Sequence, residues 1–484
     1  MLFNSYTFIL FFLPITLVLY YLAQKFELAK TSKIILILAS LYFYAYFHVE
    51  YIFVILASVL INYGLTVFCN KRESDLQRKW ITGVGIGCDI VIIGFFKYLD
   101  FIIDNINSVC GSDIGALNIL MPLGISFFTF QQISFLIDNY RKEINDIVFI
   151  DYFLFVVFFP QLIAGPIVRF TEMVSQFQKK NKFSWDSFSE GLYIFSMGLG
   201  KKVLLADVFG RAVNTGFLAF DSLSSLEVWA VSLCYTIQIY FDFSGYCDMA
   251  FGIAKMLGFV LPVNFNSPYK SLSIADFWDR WHLSLTKFFT SYLYIPLGGS
   301  RKGKLRTYLN VLIVFTLSGI WHGANWTFIL WGIYNGILMV LYRVTKKYWD
   351  AIPKVIRYIV NFIIIDIGWM LFRANRIKDF WIMLKRMFGF VPGAVREEIT
   401  QYFQTAEIQY VIDHIGLLKN ICEKYNWGIM TLFFVLAFCI VLLGKNLHER
   451  AIRLNVRRYI SCVIIFVWSL VSLSGVSTFL YFNF

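Results

Sequence analysis

The chain has 484 residues, of which 58% are hydrophobic, 19% aromatic and 15% charged, and its formal net charge is +12. A soluble globule carries about 25% charged residues, so this chain lacks the charge to face water on all sides. The same figures exclude a disordered chain, a collagen and a disulfide-stapled secreted scaffold, and leave an integral membrane protein. Its positive balance is that of cytoplasmic loops, where Lys and Arg set topology and meet anionic lipid; no basic, aromatic-interleaved module points to nucleic acid.

A helix of about 20 apolar residues crosses the hydrocarbon core. The first such run, Met1 to Tyr21, has no Lys or Arg ahead of it, so it reads as a retained span rather than a cleaved leader. Spans are expected at 6–23, 34–47, 51–68, 81–99, 149–163 and 191–206. They continue at 226–246, 308–322, 325–342, 355–372, 429–444 and 459–482. Weaker segments at 121–137 and 249–261 read as short or re-entrant pieces buried in protein. The expected fold class is therefore all-α, a polytopic membrane protein with roughly 11–13 transmembrane or re-entrant helices.

Charge sets the expected orientation. Lys25, Lys30 and Lys33 follow the first span, and Lys71, Arg72, Arg78 and Lys79 follow the third, so both groups face one side. His48 to Glu50 and the stretch 100–118, which lacks Lys and Arg, face the other. The N-terminus is then extracytoplasmic. Lys445, Arg450, Arg453, Arg457 and Arg458 join the last two spans, which puts the C-terminus outside as well. The stretch 389–427 is expected as an outer loop with an amphipathic helix. Neither an internal repeat nor an independent soluble domain is legible, so residues 1–484 read as one membrane domain.

Ionisable groups at bilayer depth are costly and mark function by default. Of five histidines, two lie between Asp276 and Trp331. His282 follows Ser273-Ile-Ala-Asp276, whose spacing is that of a helix start. A helix continuing from there would place Trp278, His282, Leu285 and Phe289 on one face, with Asp276, Asp279, Arg280 and Lys287 around it. An interfacial amphipathic helix with His282 at its edge explains the pattern equally. His322 lies in an apolar helical stretch between Gly319 and Gly323, small residues that permit close approach of a substrate or a neighbouring backbone. An imidazole there can carry a hydroxyl proton near neutral pH, or be a buried hydrogen-bonding group between helices. Ser318 shares its face one turn earlier and is either a nucleophile or a serine bonded to its own helix.

A third polar line runs through Gln238, Asp242, Gly245 and Asp248. Carboxylates so deep in an apolar run need a cavity or a cation, and anchoring to Arg280 or Lys255 is the structural expectation. No His or Cys is placed to complete a metal site with them, and the eight cysteines form no C-x-x-C pair. Gly83-Val-Gly-Ile-Gly87 lacks a Rossmann context and Gly198-Leu-Gly-Lys-Lys202 lacks Walker spacing, so neither is a phosphate loop.

Asp276-Phe-Trp-Asp-Arg-Trp-His-Leu-Ser-Leu285, Tyr294-Ile-Pro-Leu-Gly-Gly-Ser-Arg301 and Gly319-Ile-Trp-His-Gly-Ala-Asn-Trp-Thr-Phe-Ile-Leu-Trp331 together resemble the membrane-bound O-acyltransferase (MBOAT) family. The likeness is to its bacterial alginate O-acetylation branch. Phe159-Pro-Gln-Leu-Ile-Ala-Gly-Pro-Ile167 and Tyr240-Phe-Asp-Phe-Ser-Gly-Tyr-Cys-Asp-Met-Ala250 support it, with the core of the resemblance at about 120–345. The resemblance implies a central membrane funnel, with His322 as the family's near-invariant histidine and His282 as its second. Around them, Trp281, Trp321 and Trp326 would wall the tunnel, and Asn325, Asp276, Arg280, Gln238, Asp242 and Ser318 are further candidates for its lining. It also implies acetyl-CoA as the acyl donor, no bound cofactor and no metal. The acetyl group would pass to an extracytoplasmic polysaccharide through an SGNH-hydrolase-like partner, in a bacterial cytoplasmic membrane. Two alternatives stay open: a D-alanyl transferase acting on teichoic acid, and a transporter or flippase without acyl chemistry.

Overall fold

In hydrocarbon each backbone N–H and C=O must be satisfied within its own segment, so apolar stretches with few charges become helices. The computed structural model describes residues 1–415, 427–444, 455–473 and 479–480, and among these no strand forms beyond one isolated bridge between Phe265 and Trp281. The expected basic turn at Lys445, Arg450 and Arg453 lies outside the described residues, as do Cys422, part of the 389–427 stretch and most of 472–482. Four helical stretches among the described residues are long and apolar enough to cross a bilayer unaided: Thr7–Lys25, Tyr51–Asn70, Trp326–Ala351 and Lys354–Arg373. The chain is an all-α, multi-pass membrane protein.

Helices α1 (Leu13–Lys25), α2 (Ala29–Ala45) and α3 (Tyr51–Asn70) form the first, up-and-down group. Helix α4 (Asp75–Ile93) runs through a π-helical turn, Gly94–Tyr98, into α5 (Leu99–Cys110). Helix α6 (Ile125–Tyr140) follows a left-handed Gly124, where an added Cβ would meet the Leu162 carbonyl at 2.6 Å.

The expected span at 149–163 is broken. Helix α7 (Phe149–Val157) stops at Phe158, whose ψ of 106° leaves the helix, and α8 (Phe159–Leu162) restarts with Pro160 in its first turn. Nine residues of helix reach only about 14 Å, too little to cross, and α7 is instead buried against its neighbours. Helix α9 (Phe170–Phe177) leads to α10 (Trp185–Gly200), which bends through a π-helical segment, Lys201–Ala206, into α11 (Asp207–Leu218).

Helix α12 (Ser225–Met256) is the centre of the fold. It is buried on all faces, which explains its lack of an apolar stripe. The separate weak segment expected at 249–261 is its continuation, because Ser224 and Glu227 close a capping box at one end and no breaker interrupts it before Met256. Helix α10 packs against it antiparallel through two glycine pairs. A Cβ on Gly198 would stand 2.6 Å from the Gly245 carbonyl oxygen, and one on Gly191 would stand 2.6 Å from that of Gly252. Small residues let backbones meet where lipid gives no hydrophobic drive. Replacing Gly198 with leucine is expected to part the two helices and cost about 1–3 kcal/mol, read as a lower thermal midpoint in detergent.

The described bundle continues with α13 (Ile274–Trp278), α14 (Leu283–Phe289), α15 (Lys304–His322), α16 (Trp326–Ala351), α17 (Lys354–Arg373) and α18 (Ile377–Phe388), and later with the Gly428–Leu443 and Val456–Val471 helices. Helices α15 and α16 pack through Gly319, whose missing side chain leaves room for the Phe328 carbonyl and the Gly332 backbone. The close approach expected at Gly319 is thus made by a neighbouring helix. Within 389–427 the described residues hold short helices, among them Ala406–His414.

Candidate functional site

His282 does not sit on a helix face. Ser273 caps α13 by accepting from the Asp276 N–H at 3.2 Å, but Asp276 turns its carboxylate to the Leu272 N–H at 3.0 Å, so the reciprocal half of the box is missing. The helix ends at Trp278. His282 then adopts the left-handed conformation, φ 47° and ψ 54°, before α14 begins. A non-glycine residue held there signals a constraint imposed by its surroundings. The constraint is a clasp with the 264–266 strand-like segment. The Asn266 N–H donates to Arg280 O at 2.9 Å, Leu283 N–H to Asn264 O at 3.1 Å, and Ser284 N–H to Asn264 Oδ1 at 3.0 Å. The interfacial-edge reading fails on burial: His282 is 1% exposed, its ring 4.8 Å from that of Phe243 on α12.

His322 is the last residue of α15, where the chain leaves the helix into an extended Gly323. It is 4% exposed and ringed by Trp331 at 5.1 Å and Phe372 at 5.2 Å. Trp321 packs against both histidines, its ring 4.9 Å from His322 and 6.4 Å from His282. The fold therefore brings together two imidazoles forty residues apart, with one indole in contact with both. Behind them Trp281 packs on Phe277 and Trp369, and Trp369 stacks on Trp331 at 5.9 Å.

A hollow of about 20 Å³ touches His322 and is lined by Lys97, Met121, Gly124, Ser126 and Trp321. It holds about one water-sized group. A second, larger cavity of about 970 Å³ lies between α11, α12 and the Gly428–Leu443 helix, and it reaches Tyr240. That tyrosine ring is 6.4 Å from Trp281, in the loop that carries His282.

The remaining expected residues are placed as follows. Ser318 is buried one turn before His322. Trp326 is 52% exposed, packs on Phe101 and donates to Asn105 Oδ1 at 2.8 Å, at the edge of the bundle. Asn325 caps α16, accepting from the Thr327 N–H at 3.0 Å and donating to Asn375 O at 2.9 Å. Asp276 and Arg280 pair with each other at 2.6 Å. Gln238 lies against the backbone of Gly210 on α11.

The anchoring partners expected for Asp242 and Asp248 are corrected. Asp248 pairs with Lys201 at 2.6 Å and Asp242 with Lys202 at 2.6 Å, while Lys202 also reaches Asp207 at 2.8 Å. Arg280 is taken by Asp276, and Lys255 by Glu190 at 2.5 Å. The lysines that looked like part of a glycine-rich loop are the counterions of α12.

Sequence reasoning missed Lys97 and Tyr98, hidden inside an expected span. The presence of an ammonium within an apolar run was the available signal.

The sequence pattern of the membrane-bound O-acyltransferase family matches residues 7–377. The chain belongs to that family. It is accordingly an O-acyltransferase, and the resemblance carried by the histidine blocks holds. A peptidoglycan O-acetyltransferase of Helicobacter pylori is 36% identical over the whole chain and 98% of its own length. A probable alginate O-acetylase of Azotobacter vinelandii is 39% identical over 81% of this chain and 78% of its own. A teichoic acid D-alanyltransferase of Bacillus subtilis is 30% identical but covers 48% of this chain and 61% of its own.

Proposed function

We propose that this O-acyltransferase takes an acetyl group from a cytoplasmic donor, acetyl-CoA, and passes it across the membrane for O-acetylation of an extracytoplasmic polysaccharide such as a cell-wall glycan. The observation that carries the reading is the pair of buried imidazoles flanking Trp321, one of them at a hollow that opens beside Lys97. His322 is the base. The acceptor hydroxyl oxygen bonds to the thioester carbonyl carbon as its proton moves to the His322 imidazole. Collapse of the tetrahedral adduct breaks the C–S bond, and the departing thiolate takes a proton back. His282 serves as a second proton carrier or as a donor to the oxyanion, and Trp281 and Trp321 keep water from the thioester.

The full-length similarity to the peptidoglycan enzyme supports acetyl and glycan over D-alanine, whose two relatives match 48% and 57% of the chain. Clusters such as Lys25, Lys30 and Lys33 support a cytoplasmic face for the first loop and an extracytoplasmic N-terminus. The family resemblance supports a separate SGNH-hydrolase-like partner that completes the transfer to sugar hydroxyls.

Membranes containing the chain and its SGNH-hydrolase-like partner, given labelled acetyl-CoA and acceptor glycan, are expected to place label in an alkali-labile ester on the glycan. Labelling from a D-alanyl carrier in place of acetyl-CoA would establish the teichoic-acid alternative. Glycan movement without ester formation would establish the transporter alternative.

A further inference from the structure

The last carbonyls of an α-helix have no partner within it. Helix α15 ends inside the protein at His322, and the extended Gly323 forms no closing turn. Its carbonyls are met instead from the turn between α4 and α5. Tyr98 donates its hydroxyl to Ile320 O at 2.6 Å, and Lys97 Nζ donates to Trp321 O at 2.6 Å and His322 O at 3.1 Å. The third N–H of Lys97 goes to Ser126 Oγ at 3.2 Å, while the Trp321 indole donates to Ser126 O at 3.4 Å. An ammonium has three donors, and all three are thereby used.

The reach of Lys97 depends on the π-helical turn Gly94–Tyr98, a local widening that recurs at functional sites. Its charge also sits at the negative end of the α15 dipole. A lysine at membrane depth is costly to bury, and a neutral donor would satisfy a carbonyl as well. Lys97 holds two consecutive carbonyls at once, those of Trp321 and of His322 itself, together with α6 through Ser126.

We infer that Lys97 is a positioning residue for acyl transfer: it fixes the end of α15 so that His322 and Trp321 face the hollow in one orientation. The inference rests on the reading of His322 as the base. Purified enzyme in proteoliposomes with the SGNH-hydrolase-like partner and acceptor glycan, assayed for acetyl transfer from acetyl-CoA, tests both. Lys97→Met is expected to lower kcat on the order of 10- to 100-fold, the scale of an ångström-level misplacement, with KM for acetyl-CoA unchanged. Lys97→Arg, which keeps charge and several donors, is expected to restore most of that loss.

If Lys97→Met does not fold, Lys97→Leu, which likewise has no donor, is assayed in its place, with the same expectation. An unchanged kcat, a loss confined to KM, an arginine variant no better than methionine, or failure of both neutral variants to fold overturns the inference. His322→Ala separates the two readings. If it is inactive while Lys97→Met is fully active, only the positioning role falls; if His322→Ala transfers acetyl normally, the base assignment falls with it.

Discussion

Replacing His322 with alanine is expected to lower kcat on the order of 10²–10⁴-fold, the contribution of a positioned proton carrier, in a protein that still folds. The imidazole ring sits among Trp321, Trp331 and Phe372, and those three rings keep their packing on Trp369, Phe328 and Phe130 when it is removed. The loss of one side chain from such a cluster leaves a cavity without undoing the fold. A slow step for proton transfer lowers kcat while donor binding is retained, so KM for acetyl-CoA is expected to stay within a few-fold. Single-turnover transfer in proteoliposomes, with thermal unfolding run in parallel, checks both halves. A His322→Ala enzyme with wild-type turnover would refute the proposed chemistry.

The largest expected effect on stability is at Asp242. Lys202 is 4% exposed and bridges Asp242 and Asp207, and Asp242 also accepts from the Leu480 N–H at 2.9 Å. One carboxylate thus joins α12, the π-helical end of α10 and the C-terminal segment. Asp242→Ala strands part of a buried charge, and breaking such a pair costs about 3–5 kcal/mol. The Lys201–Asp248 pair is the natural comparison, because Lys201 is partly exposed and solvent eases the loss. Thermal midpoints in detergent are expected to fall further for Asp242→Ala than for Asp248→Ala. Equal midpoints would place the anchoring elsewhere in α12.

Membrane character, helical class and the two histidines were legible from composition and motif. Each depends on residue types and their order along the chain, which is what a sequence records directly. Other features depend on which segments meet. Asp242 and Asp248 announced a need for cations, yet Arg280 and Lys255 were equally plausible by charge, and the bend at Lys201–Ala206 decided for Lys201 and Lys202. Asn325 and Trp326 stand in the same motif as His322, but one caps a helix and the other faces outward onto α5.

The sequence by itself determined that this is a helical membrane O-acyltransferase with histidines in two motif blocks. The tertiary structure decided that His282 leaves the helix into a left-handed turn, that Trp321 contacts both imidazoles, and that Lys97 closes the end of α15. The reason is physical. Helix and span follow from local hydropathy and backbone satisfaction, whereas a clasp, a counterion or a borrowed cap comes from residues tens to hundreds of positions away, which no local period encodes.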